Sequence, residues 1–177
     1  MKRQVFYSFC YKDDCWRTQI VRNIGSLEGN RPVSPSAWEE VKRKGDSAIQ
    51  EWIDENMRYR SCVIVLVGED TANRPWVQYE IKHAWKTGKG LLCIDIHHFK
   101  NEKSEEGKEG LNPLSLFYID KDINYIGKRD YPIGNEVRLS NVCKYYKPSA
   151  NNIWNIINDN IESWVEEAIK IRDSYPK

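Results

Sequence analysis

The chain has 177 residues, enough for one full-sized domain with a real core and too few for two of ordinary size. Charged residues make up 30% of it, yet 27 Lys and Arg stand against 26 Asp and Glu, and a net charge of +1 gives no global field to gather nucleic acid or an acidic membrane. Five cysteines (Cys10, Cys15, Cys62, Cys93 and Cys143) show none of the paired spacings of zinc sites, so neither a structural metal nor a disulfide is expected.

In chain order, Met1 to Ser8 passes too quickly from charge into a strand-like run to be a secretory signal. No apolar stretch reaches membrane-spanning length, and the expectation is a cytoplasmic protein. A first strand is expected over Val5 to Phe9, then a helix from about Cys15 to Ser26 that Asp13 or Asp14 can cap. Leu27 to Ala37 carries Gly29, Pro32 and Pro35 and reads as a loop holding at most a short second strand. The next helix is capped by Asp46 or Ser47, with Gln50 completing a capping box and Ile49, Trp52 and Ile53 on one face.

The run Cys62 to Gly68 is short, β-branched and unalternating, as in a strand covered on both faces. Helical spacing follows: Val77, Ile81, Ala84 and Trp85 make one buried stripe, with Glu80 about 40° beyond its edge. Gly88 and Gly90 flank the helix stop, and Leu91 to Ile96 is a second buried parallel strand, where Cys93, like Cys62, serves as a small hydrophobe. Lys100 to Lys108 reads as a mobile surface loop, Asn112-Pro113 as its exit, and Tyr118 to Lys147 as weakly periodic, with short strands near Ile123 to Ile126 and Val137 to Leu139. An amphipathic helix through Ile153, Ile157, Ile161, Trp164, Val165 and Ala168 closes the chain.

This alternation predicts an α/β fold, a small doubly wound parallel sheet with helices on both faces. Ligands of such sheets bind outside the carboxyl ends of the strands, here Ser8-Phe9-Cys10, Gly68-Glu69-Asp70 and Asp95-Ile96-His97. His97 and His98, read as a continuing strand, would point to opposite faces and could not chelate one ion together. No Gly-x-Gly-x-x-Gly and no Walker-type loop supports a hydride-transfer or nucleotide-hydrolysing reading.

Several motifs together resemble the TIR-like family of bacterial anti-phage defence, in particular the TIR proteins of Thoeris systems. They are Val5-Phe6-Tyr7-Ser8-Phe9, Trp38 with Asp46 and Ile49, Val63 to Gly68 with Thr71, and Arg74-Pro75-Trp76-Val77 with Tyr79-Glu80-Ile81. Ile94-Asp95-Ile96-His97 and Asn112-Pro113 also fit. The resemblance implies one flavodoxin-like, TIR-like domain over residues 1–177, with a core of about 4–115, an elaboration over 100–148 and a C-terminal helix over 151–174. It implies an enzyme that cleaves the nicotinamide glycosidic bond of NAD, the substrate, with no separate cofactor, and makes a cyclic or conjugated ADP-ribose signal for a companion effector. A phage-derived trigger and a homo-oligomer are implied with it.

NAD's nicotinamide leaves a cationic ring as a neutral pyridine, so one carboxylate that orients the ribose and stabilises the oxocarbenium-like centre can suffice where most glycosidases need two. Glu80 is the candidate, the alternative being a solvated glutamate on a helix flank. Phe6 to Phe9 would line the cleft, Ser8 would bond ribose or phosphate, and Trp38 or Tyr11 would stack on nicotinamide or adenine; core packing explains Phe6, Phe9 and Trp38 as well, and a strand-end cap explains Ser8. Arg74 could meet the pyrophosphate or simply be solvated, Trp76 belongs with the substrate-facing residues, and Asn112 could approach the cleft or only mark a turn. Two other readings compete: a non-enzymatic assembly scaffold, and a phosphoacceptor receiver, which the Gly68 ending of its central strand disfavours.

Overall fold

The computed structural model describes residues 2–31 and 34–177. In chain order the elements are β1 (Gln4–Phe9), α1 (Tyr11–Arg22), β2 (Glu28–Gly29), α2 (Pro35–Arg43), α3 (Asp46–Met57), β3 (Cys62–Val67), α4 (Pro75–Lys86), β4 (Gly90–Asp95), β5 (Phe117–Asp120), β6 (Ile126–Lys128), β7 (Glu136–Arg138), β8 (Lys144–Tyr146) and α5 (Ile153–Asp173). Five strands form a parallel sheet in the order β2-β1-β3-β4-β8, the order of flavodoxin-like sheets. β5 pairs antiparallel with β6 and β7 in a separate three-stranded sheet, so the polar 117–138 region is built structure.

Alternation along the central strands sorts the core into two faces. Phe6, Val63, Val65, Val67, Leu91 and Cys93 pack with Ile53 of α3 and Val77, Ile81, Ala84 and Trp85 of α4, the stripe that the sequence predicts. Val5, Tyr7, Ile64, Leu66, Leu92 and Ile94 pack with Val21 of α1 and Ile157, Ile161 and Val165 of α5. Gly90 lets α5 lie directly on β4: a Cβ there would stand 2.8 Å from the Ile169 amide nitrogen.

Several local expectations are corrected. α1 begins at Tyr11, so Asp13 and Asp14 lie in its first turn rather than at its cap, and Cys10 takes the cap position, its thiol donating to Asp13 Oδ2 at 3.2 Å instead of capping a helix amide. α3 is preceded by Gly45 at φ 93°, which leaves Asp46 inside the helix and forms no Ser47–Gln50 capping box. α2 starts inside the segment expected to be loop; Ser34, whose Oγ accepts from the Ala37 amide at 3.2 Å, and Pro35 in the first turn are the start signals. Part of the expected loop, Pro32 and Val33, lies outside the described residues. β5 and β8 were not expected, and the predicted strand at Ile123 to Ile126 starts only at Ile126.

Segment 100–108 is an organised turn: Asn101 Oδ1 accepts from the amides of Lys103 at 2.9 Å and Glu105 at 3.0 Å, and Gly107 N donates to His97 O at 2.8 Å. All five cysteines are free. Among the described residues, no helix is long and apolar enough to cross a membrane.

The added sheet is tied to the core by Arg172, which is 1% exposed. Its Nε and Nη2 donate to the Trp85 carbonyl at 3.0 and 2.8 Å, Nη2 also to Asn124 Oδ1 at 3.2 Å, and its guanidinium lies 4.4 Å from the Trp85 ring centroid. The cation thus satisfies a terminal carbonyl of α4 while joining α5 to the loop between β5 and β6. Replacing Arg172 with Met keeps the stem but takes the charged donor away from that carbonyl, which retains only its turn bond from the Gly88 amide at 3.1 Å, and leaves Asn124 without its link to α5. Urea unfolding should read a loss of about 3 kcal/mol with the m-value unchanged.

Candidate functional site

The site begins with a strand that stops early. β2 pairs only with Gln4 and Val5, leaving the outer edge of β1 without a strand beyond that point. Asn30 takes over there, its Oδ1 accepting from the Tyr7 amide at 2.9 Å, while Arg22 donates to the Asn30 carbonyl. The gap beside β1 is walled by the α2–α3 pair and by α4, and it forms a cleft of about 70 Å³ lined by Phe6, Tyr7, Phe9, Tyr11, Arg22, Asn30, Trp38, Trp52 and Glu80. Rings dominate it: Trp38 and Trp52 meet edge to face at 5.5 Å, Phe9 and Tyr11 lie 6.1 Å apart, and the Arg22 guanidinium sits 5.3 Å from the Tyr7 ring.

Glu80 is 9% exposed. The stripe on its helix must face the sheet, so the residue flanking the stripe is pressed against β1, where Ser8 shares the face of Phe6. Ser8, 1% exposed, donates its hydroxyl to Glu80 Oε2. Burial pushes the Glu80 carboxyl up to about 8, and the Ser8 hydrogen bond works in the opposite direction without cancelling it. Glu80 is therefore a buried carboxyl that keeps most of its protons at neutrality beside an aromatic cleft, not a solvated flank residue, and groups perturbed in this way cluster at functional sites.

The structure thus brings Phe6, Phe9, Tyr11, Trp38 and Glu80 to one cleft, with Ser8 behind the carboxylate. Arg74, Trp76 and Asn112 are elsewhere. Arg74 pairs with Asp70 at 2.9 Å and Asp13 at 3.2 Å; Trp76 packs on the core and on Tyr79 at 5.8 Å; Asn112 accepts from the Leu114 amide at 2.9 Å and starts a short 3-10 turn. Tyr7 lines the cleft as expected of the Phe6 to Phe9 run, whereas Arg22, Asn30 and Trp52 join it unannounced. Trp52 is legible as an aromatic on the inner face of α3, but the other two need the early end of β2, which no local pattern announces.

A larger depression, about 360 Å³, lies at the carboxyl ends of β1, β3 and β4 and does not include Glu80. Asp14 reaches into it, 2% exposed and ion-paired with Arg17 at 3.1 Å, and its other oxygen lies so close to Gly68 that a Cβ would stand 2.2 Å away. The alternation argument for the following histidines fails because β4 ends at Asp95. His97 and His98 occupy the turn beyond, and their ring centroids are 3.8 Å apart.

The buried carboxyl has a signed effect on stability. Glu80 binds its proton more tightly folded than unfolded, so between the usual carboxylate value and about pH 8 the folded state holds the extra proton and stability falls as pH rises. Glu80→Gln removes the ionisation while keeping the shape. The variant should unfold at higher temperature than the parent at pH 8, by of the order of 3 kcal/mol, and with little difference at pH 4.5. Thermal melts at the two pH values check this.

The family described as Thoeris protein ThsB, TIR-like domain, matches residues 6–101, a stretch that runs from β1 through β4 and contains the whole cleft. A protein of Bacillus cereus (strain MSX-D12), named "Putative cyclic ADP-D-ribose synthase ThsB1", is 33% identical over 134 residues, covering 73% of this chain and 69% of its own length. With the parallel sheet in the flavodoxin-like order, these matches establish that the chain belongs to the TIR-like domain family of Thoeris protein ThsB.

Proposed function

We propose that the chain cleaves the N-glycosidic bond between nicotinamide and ribose in NAD and turns the remaining ADP-ribose into a cyclic or conjugated signal. The observation that carries this is Glu80: a buried carboxyl with one hydroxyl partner, opening on a cleft of aromatic rings. The printed name of the Bacillus cereus relative, "Putative cyclic ADP-D-ribose synthase ThsB1", supports the same reading.

The chemistry follows from the residues. A cationic nicotinamide ring entering the cleft stacks on Trp38, Phe9 or Tyr11, and its positive charge favours the ionised form of Glu80. The C1–N bond breaks with its electron pair leaving on nicotinamide, which departs neutral and needs no proton donor. Glu80, steadied by Ser8, stabilises the positive charge that develops at C1 and orients the ribose hydroxyls. A nitrogen of the substrate's own adenine then bonds to C1 and sheds a proton, giving a ring; water at the same carbon would give ADP-ribose. Aromatic walls that exclude water favour the internal nucleophile.

A cleft of about 70 Å³ is small beside the 300–1,000 Å³ typical of ligand sites, so it takes the nicotinamide end alone. Arg22, the one cation among the cleft's lining residues, is the candidate partner for the pyrophosphate. The rest of NAD lies outside the cleft or against a second copy of the chain, and we place activation by a phage-derived trigger at that assembly step. The product diffuses to a companion effector. The scaffold alternative gives no reason to bury a carboxyl beside an aromatic cleft.

Purified chain incubated with NAD should release nicotinamide, read by mass spectrometry, and Glu80→Gln should lower the rate at least about 10³-fold while the fold persists. No release from folded parent protein, alone or from phage-challenged cells, would sink the enzyme reading. The pH profile adds a second test. At low NAD, activity should rise with pH through a midpoint near 8, and Ser8→Ala, which removes the one interaction lowering the Glu80 value, should move that limb to higher pH.

A further inference from the structure

Beyond the strand that ends at Asp95, the chain makes a second constellation that the glycosidase chemistry does not use. Asp95, 2% exposed, accepts from the His97 amide at 3.0 Å, and its Oδ1 lies 2.6 Å from His97 Nδ1. His97 is thereby oriented with Nδ1 engaged and Nε2 left as a donor atom. His98 Nδ1 stands 2.8 Å from Glu106 Oε2, and the two imidazoles are nearly in contact, with centroids 3.8 Å apart and planes tilted by 37°. Glu106 is no chance neighbour: the Asn101 turn and the Gly107 to His97 backbone bond fix it opposite the histidines.

We propose that His97, His98 and Glu106 form a binding site for one divalent transition-metal ion of the zinc class. Each offers one donor atom, and the three lie within 4.8 Å of one another. A tetrahedral ion with bonds of about 2.0–2.1 Å needs its ligands about 3.4 Å apart, so modest rotation of the partly exposed His98 and Glu106 side chains toward His97 closes the set. Two imidazoles and a carboxylate are a nitrogen and oxygen set that suits Zn²⁺, and a buried aspartate on the far nitrogen of a ligating histidine is the outer-shell partner such sites use. Side-chain exposures of 12%, 29% and 32% leave the donors reachable from water. Three protein ligands leave a fourth position open to water or an anion.

The consequence is mechanical as well as chemical. His97 and Gly107 border the larger strand-end depression together with Asp14, Arg17, Gly68 and Lys108, so an ion here would clamp the 97–107 segment as one wall of that depression.

The test uses the full chain with Cys15→Ser, which removes the exposed thiol, stripped with chelator and titrated with CoCl₂ alone. The expected result is one Co²⁺ per chain by native mass spectrometry, visible d–d absorption of a four-coordinate ion, and displacement by Zn²⁺. His98→Ala and Glu106→Gln, each folded by circular dichroism, should weaken binding at least tenfold, and Asp95→Asn should weaken it about 10- to 100-fold. Absence of saturable absorption in the parent, or undiminished binding in both His98→Ala and Glu106→Gln, overturns the proposal and leaves the cluster a hydrogen-bonded loop clasp.

Discussion

Burying a carboxyl against a sheet is costly unless something compensates, and in this protein the compensation is a single serine hydroxyl. The geometry that produces the Ser8–Glu80 contact reaches far. α4 must present Val77, Ile81, Ala84 and Trp85 to the sheet, which turns the flanking Glu80 onto β1; β1 must place Ser8 on the same face as Phe6; and the α2–α3 pair must stand off far enough to leave a cleft rather than a filled core. If any of these shifts, the carboxyl either reaches water and loses its raised proton affinity or meets no partner at all. The large apolar packing on both faces of the sheet is what makes so unfavourable a placement tolerable.

The second constraint is the truncated β2. In a longer parallel sheet the outer edge of β1 would be covered by a neighbouring backbone. Here that edge is met by side chains, Asn30 on the Tyr7 amide and Arg22 above the Tyr7 and Phe9 rings. The site is therefore a gap in the sheet's own cover. Aromatic residues fill its walls because rings shield the backbone from water while leaving flat faces exposed.

Legibility from sequence followed the length and regularity of each element. β3, β4, α4 and α5 are read correctly because buried parallel strands give unbroken apolar runs and their helices keep a sustained 3.6-residue stripe. The position of Glu80 beside that stripe was readable by the same arithmetic. β5, β6 and β8 are three or four residues long, too short for any period to show, whereas β7 falls where a short strand is expected near Val137 to Leu139. α2 was hidden by prolines that read as loop, although Ser34-Pro35 is a start signal once its offset is noticed. The histidine pair was misjudged because alternation was extended past Asp95, where the strand is already over. Long-range coincidences, such as Arg22 and Asn30 converging on β1, have no local signature.

The region matched by the family ends at residue 101, yet the folded unit does not. β4 gains its outer neighbour only from β8, and the apolar face that α5 covers stays open until residues 153–173 are in place. A nascent chain that has just emerged past β4 therefore carries an unpaired parallel edge and half a core with more than fifty residues still to come. Its most adhesive intermediate arises during synthesis rather than in the test tube, and the pace of translation through the polar 100–143 stretch sets how long that intermediate must wait for its cover.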